Sequence, residues 1–228
     1  MIGIIAALDI EARSLKEKME ETSVASYAKM QFYRGKLYRK DVVVVQSGVG
    51  KVNAAVCTQI LADKYRVDKV INVGVAGGLA PGLHIGDIVV SDDAVQYDMD
   101  ASAFGHPKGE IPNMDMTYFP ADRHMLRKAQ AAAERLGTKI LVGRIMTADL
   151  GLGDTQLKAE LVETFKGACC EMEGAAVAQT CWLNDIPYLI IRSISDNADD
   201  SANDTYYESI DESVKPSTDF LMELLQEL

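Results

Sequence analysis

Residues Ile2-Gly3-Ile4-Ile5-Ala6-Ala7-Leu8-Asp9-Ile10-Glu11 decide the fold. The run from Ile2 to Leu8 is apolar without polar alternation, which is the pattern of a short strand covered on both faces. From there to Glu21, Ile10, Leu15 and Met19 recur at roughly helical spacing, so a strand passes into a helix at Asp9 to Glu11. A strand buried on both faces that feeds a helix is the unit of a parallel or mixed sheet flanked by helices.

The same grammar continues outward. Phe32 to Tyr38 and Asp41 to Gln46 read as two strands around Arg39-Lys40, a hairpin, and Gly50 to Tyr65 returns to helix. Asp68 to Gly74 and Asp87 to Ala94 are strand-like, and between them Gly74, Gly77, Gly78, Gly82 and Gly86 mark a candidate binding loop. Helix is expected over Ala121 to Leu136, strand over Lys139 to Met146, and helix over Thr155 to Phe165 with Thr155 as N-cap. Gly174 to Leu183 reads as helix, Pro187 to Ser195 as strand, and Asp204 to Leu228 as mostly helix. No repeat or linker divides the pattern, so residues 1–228 are expected to form a single α/β domain with a central mixed β-sheet and helices on both faces.

In such sheets ligands gather at the carboxyl ends of strands. That directs attention to Asp9 and Glu11, Ser47 to Gly50, Gly74 to Gly78, Thr147 to Leu152, Glu171 to Glu173, and Ser195 with Asp196. Composition narrows the chemistry. Asp and Glu number 34 against 23 Lys and Arg, and a net charge of −11 repels a nucleic-acid backbone, so no nucleic acid is expected as partner. Asp9 and Glu11 interrupt the first apolar run before a signal peptide or membrane span could form; a cytoplasmic protein with no membrane association is expected. The four cysteines, Cys57, Cys169, Cys170 and Cys181, form no CxxC, and the three histidines lie far apart, so no metal is expected, and the chain carries no organic cofactor motif, so no organic cofactor is expected.

Ser47-Gly48-Val49-Gly50-Lys51 invites a phosphate-loop reading, but Val45 stands where that pattern needs its first glycine and Val52 where it needs Ser or Thr. A dinucleotide fingerprint fails at Asn53, and a nucleophile elbow fails at Val45. What survives is a set of carboxylates at strand ends beside glycines. Such groups suit acid–base chemistry, although carboxylates in these positions are often only helix caps or charge partners.

Gly3-Ile4-Ile5-Ala6-Ala7-Leu8 with Glu11, then Ser47-Gly48-Val49-Gly50-Lys51-Val52-Asn53-Ala54-Ala55, resembles the opening of the 5′-methylthioadenosine/S-adenosylhomocysteine nucleosidases. Asn72-Val73-Gly74-Val75-Ala76-Gly77-Gly78, Gly86 to Asp92, Ala103-Phe104-Gly105, Glu171-Met172-Glu173 and Arg192-Ser193-Ile194-Ser195-Asp196 follow in that family's order, so the resemblance covers essentially the whole chain. It implies the purine nucleoside and uridine phosphorylase fold, a purine nucleoside as ligand, and a homodimer.

Breaking a ribosyl–purine bond leaves positive charge on the sugar and negative charge on the base. By resemblance, Asp196 donates a proton towards purine N7, with Ser195 orienting it. Glu11 takes a proton from the attacking water, and Glu173 binds the ribose hydroxyls and helps place that water. Met172 would lie against the ribose, Leu152 near the base, and Tyr206 by the sugar or 5′ end. Val49, Val75, Glu171 and Arg192 complete the implied substrate-binding set, and Phe104 and Pro112 would reach the 5′-alkylthio pocket of the neighbouring subunit. Phosphorylases hold their anion partly with an arginine and a serine where this chain has Asn72 and Val75, which favours water over phosphate.

Two departures bear on the substrate. The family usually has serine at the position of Val75, and its Asp-x-Phe-Ile segment, whose phenylalanine stacks on adenine, reads here Asp149-Leu150-Gly151-Leu152. The competing readings are another purine nucleosidase, a phosphate-dependent phosphorylase of the same superfamily, and a nucleoside-binding protein without turnover.

Overall fold

The computed structural model describes residues 1–228. In chain order its elements are β1 (Ile2–Ala6), α1 (Asp9–Lys18), β2 (Glu20–Tyr27), β3 (Met30–Leu37), β4 (Lys40–Gln46), α2 (Lys51–Ile60), β5 (Lys69–Gly78) and β6 (Ile88–Gln96). There follow β7 (Phe119–Pro120), α3 (Arg123–Leu136), β8 (Ile140–Thr147), α4 (Thr155–Phe165), β9 (Cys169–Glu171), α5 (Gly174–Leu183), β10 (Tyr188–Asp196) and α6 (Ala202–Glu227).

The apolar run at the start is buried along its whole length, as its pattern requires: β1 is an interior strand, parallel to β4 at one edge and to β5 at the other, with α1 and α2 packed against it. Ile4 sits between Val44 and Ile71. Each such fully buried aliphatic side chain contributes about 1.5–3 kcal/mol by leaving water. From β5 the mixed sheet runs both ways. One flank is the open series β1, β4, β3, β2. On the other side β5, β10, β6, β8 and β9 pair in a closed circuit, with β10 parallel to β5 and antiparallel to β6. That closure brings strands distant in sequence around the end of β5.

Several boundaries differ from the sequence-based expectation. β2 has no counterpart in the pattern, because Glu20–Tyr27 is exposed and polar along nearly its whole length and shows no buried face. It exists because Ala28 and Lys29 adopt positive φ and turn the chain back onto β3. β5 runs on through Gly78, so the first three glycines of the expected loop are strand, and the loop proper is shorter. β7 and β9, of two and three residues, are too short to show a period. Asp154, not Thr155, caps α4, because its carboxylate accepts the Leu157 N–H at 2.8 Å.

Candidate active site

The strand ends frame a cavity of about 480 Å³. Its wall takes Ala7, Leu8 and Glu11 from the β1–α1 turn, Val49 from the segment after β4, and Val75 to Gly77 from β5. Leu150 to Gly153 follow β8, Cys170 to Glu173 belong to β9 and the turn into α5, Ser195 and Asp196 end β10, and α6 lends Ala202, Asn203, Tyr206 and Tyr207. Glu11, Glu171, Glu173 and Asp196 are all 8% exposed or less, and no Lys, Arg or His lines the cavity.

Glu11 is held by backbone. One carboxylate oxygen accepts the N–H groups of Ala7 and Leu8, each at 2.9 Å, and the other accepts the Val75 N–H at 3.1 Å. A carboxylate offers about four acceptor directions, so three bonds leave one for a further donor such as water. Burial pushes its pKa up, opposed by the Arg192 charge and the three N–H groups. The approach to β5 is possible only because residue 74 is glycine: a Cβ there would lie 2.6 Å from the Glu11 carboxylate and collide with the Arg192 guanidinium.

Glu173 stands at the N-cap of α5 and accepts the Gly50 N–H at 2.8 Å. Burial first, then the neighbouring Glu171 charge, push its pKa up to about 7, while Arg192 at 3.9 Å and the Gly50 N–H pull the other way.

Asp196 follows a bulge in the pairing of β10 with β5, where Ser195 is the extra residue between Ile194 and Asp196. Such a bulge re-aims the side chain beside it. One Asp196 oxygen accepts the Ser195 hydroxyl and the other the Ala198 N–H, each at 2.8 Å. The Ser209 hydroxyl of α6 donates to the Ser195 carbonyl at 2.6 Å and ties the last helix to this strand end.

Beneath the cavity lies a buried polar layer. The resemblance puts Arg192 in the substrate-binding set, but it is not in the cavity wall; it sits behind it, bonded to Glu171 and to the Asn72 side chain. Glu171 reaches the wall, yet its carboxylate is engaged by Arg192, by the Thr147 hydroxyl, and by the Glu173 and Gly174 N–H groups at 3.0 and 2.7 Å. Asn72 donates to the Ile5 carbonyl at 3.0 Å, so it too faces inward.

Val49, Val75, Leu152, Met172, Tyr206 and Ser195 are brought together in the wall with the three acids. Phe104 and Pro112 are outside it, and Phe104 is 86% exposed. Sequence reasoning missed Ala7, Leu8, Gly153, Cys170, Ala202, Asn203 and Tyr207; Leu8, Gly153, Cys170 and Tyr207 each adjoin a residue already singled out, and that adjacency was the only available signal. No group of three or more His, Cys, Asp and Glu side chains is arranged to hold a metal ion. No helix is long and apolar enough to cross a membrane.

An acid-lined, half-apolar cavity of this size at strand ends defines a site for a small molecule on which positive charge develops. The sequence profile of the phosphorylase superfamily matches residues 1–228. A 5′-methylthioadenosine/S-adenosylhomocysteine nucleosidase of Staphylococcus carnosus is 38% identical, with 100% of both chains covered. Among solved structures, the nucleosidase of that name from Neisseria meningitidis, in complex with methylthio-immucillin-A, superposes with a TM-score of 0.96 at 34% identity, covering 100% of this chain and 99% of that one. Futalosine hydrolase of Helicobacter pylori also superposes with a TM-score of 0.96, at 32% identity, over 100% of this chain and 97% of its own. The chain belongs to the phosphorylase superfamily and, within it, to the family of the 5′-methylthioadenosine/S-adenosylhomocysteine nucleosidases.

Proposed function

We propose that this protein hydrolyses the N-glycosidic bond of 5′-methylthioadenosine and S-adenosylhomocysteine, releasing adenine and the 5′-thio-substituted ribose. The observation that carries the reading is a cavity with four buried carboxylates and no facing cation. Such a wall favours an oxocarbenium-like sugar and repels a phosphate dianion. Relatives that bear the nucleosidase name over their full length support the substrate.

Asp196 is the acid that protonates the base. The Ser195 hydroxyl and the Ala198 N–H each hold one of its oxygens at 2.8 Å, which fixes the orientation of the carboxyl and leaves each oxygen a further direction for the proton that passes to the base. Glu11, with one acceptor direction left, takes the proton of the attacking water. Glu173, in the same cavity wall, binds the ribose hydroxyls and helps place that water. Met172 lies against the ribose, Leu152 by the base and Tyr206 at the sugar or 5′ end. Glu171 and Arg192 act from beneath these groups. The functional unit is a homodimer in which Phe104 and Pro112 of each subunit complete the neighbour's 5′ pocket; the exposure of the Phe104 ring supports this.

A second reading, a purine nucleosidase for another nucleoside, draws on Gly151. A Cβ there would meet nothing within 4 Å, so the wall is open where a stacking ring could stand. Futalosine hydrolase has the same fold at similar identity. Purified protein incubated with 5′-methylthioadenosine, S-adenosylhomocysteine, adenosine and inosine, with and without phosphate, separates the readings by chromatography of the released base. Phosphate-independent adenine release from the two thio-nucleosides, lost in Asp196→Asn, is the expected result. Turnover only with phosphate, or release only of hypoxanthine, would overturn it.

A further inference from the structure

Lys51 is the residue that made Ser47-Gly48-Val49-Gly50-Lys51 look like a phosphate loop, and the reaction described above does not use it. Its surroundings suggest a different task. Lys51 opens α2, and its ammonium bonds both oxygens of Asp98, just beyond β6, at 2.6 and 2.8 Å. The second Asp98 oxygen also accepts the Asp149 N–H at 3.0 Å, and the Asp149 carboxylate accepts the Lys51 N–H at 2.8 Å. The three residues thus form a closed circuit that joins the start of α2, the segment after β6 and the segment after β8.

Both sides of that circuit lead into the cavity. Asp149 is followed by Leu150 to Gly153, which form one wall. Gly50, immediately before Lys51, has φ of +99° and points its N–H at Glu173. A Cβ on Gly50 would lie 3.1 Å from the Asp149 carboxylate, so glycine also permits the close seating of that segment. An exposed ion pair adds little to stability.

We propose that Lys51 is a positioning residue: by gripping Asp98 on the outer rim it holds the Asp149 segment against the start of α2 and so fixes the Gly50 N–H on the Glu173 carboxylate. This rests on Glu173 contacting substrate, as proposed above. The groups facing Glu173 are Glu171 from β9, Arg192 from β10, Glu11 from α1, the Gly50 N–H at the start of α2, and Tyr206 of α6, whose own pKa the Glu173 charge helps to raise. Of these only the Gly50 N–H depends on the circuit.

The sign of the effect separates alignment from simple charge. Losing the N–H bond disfavours ionised Glu173, so both Lys51→Met and Asp98→Ala move its titration to higher pH, by about half a unit or more. Acting only through space, Asp98→Ala would remove a negative charge and move it to lower pH. The readout is the pH titration of the Gly50 amide proton and the Glu173 carboxyl carbon by NMR, which needs no turnover, followed by the acid limb of kcat/KM. The expected result is a shift to higher pH in both variants, recovery in Lys51→Arg, and no shift in Lys36→Met, which breaks a remote surface pair with Glu21. Melting temperatures near that of the parent confirm that the variants fold. An unmoved titration, or a shift to lower pH in Asp98→Ala, overturns the proposal. Absence of base release by the parent protein refutes the nucleosidase reading instead and leaves the NMR result to decide the role of Lys51.

Discussion

Glu11 accepts the Val75 N–H at 3.1 Å, so a side chain from the first helix is fixed by the backbone of a strand 64 residues later. The same carboxylate holds the start of its own helix through Ala7 and Leu8. In Glu11→Gln the amide can present only one acceptor oxygen to these donors and cannot take a proton. We expect kcat for adenine release to fall by about 10²–10⁴. Adenine affinity measured by calorimetry should stay within a few-fold of the parent. Unchanged kcat would remove Glu11 from the reaction.

Glu173, raised from an ordinary 4.5 to about 7, gives a pH dependence of stability with a definite sign. The folded chain binds the proton more tightly than the unfolded chain. The stabilisation this confers is therefore complete below about 4.5 and is lost as pH rises through about 7. Glu173→Gln cannot ionise, so its melting temperature should rise relative to the parent between pH 5 and pH 8. Thermal melts across that range check it; a constant difference would contradict the assignment.

Arg192 is 1% exposed and compensates Glu171, with Glu173 and Glu11 close by. Arg192→Met leaves buried carboxylates without their cation, a loss of about 3–5 kcal/mol. Urea unfolding should show it as a lower midpoint with an unchanged slope.

Gly151 leaves open space in the cavity wall, since a Cβ at this position would have no neighbour within 4 Å. Placing a ring there in Gly151→Phe should tighten adenine by about 1 kcal/mol, roughly fivefold in Kd. Titration calorimetry with adenine tests this, and weaker binding would show that the base lies elsewhere.

Gly74→Ala tests the close approach of β5 to the buried acids. The added methyl group would sit 2.6 Å from the Glu11 carboxylate, so the strand or the acid must move. Overpacking of this kind costs about 1–3 kcal/mol. Both the melting temperature and kcat should drop, and loss of neither would mean that β5 yields without disturbing Glu11.

The sequence by itself determined the layered α/β architecture, because strands buried on both faces must read as unbroken Val and Ile runs and the helices between them must repeat at 3.6 residues. It also placed Glu11, Glu173 and Asp196 at strand ends, where a chain leaving the sheet can face a ligand. Polar Glu20–Tyr27 carried no such signal, since a strand with no buried face owes its existence to the turn and partner beside it. Tertiary structure alone decided which charged groups face the cavity. Arg192, which the resemblance put in the substrate-binding set, lies behind the wall against Asn72 and Glu171, and Glu171 reaches the wall with its carboxylate already bonded to Arg192 and Thr147, while the bulge at Ser195 turns Asp196 to the cavity. Likewise the Lys51, Asp98 and Asp149 circuit joins residues up to 98 positions apart, a relationship set by strand packing rather than by any local pattern.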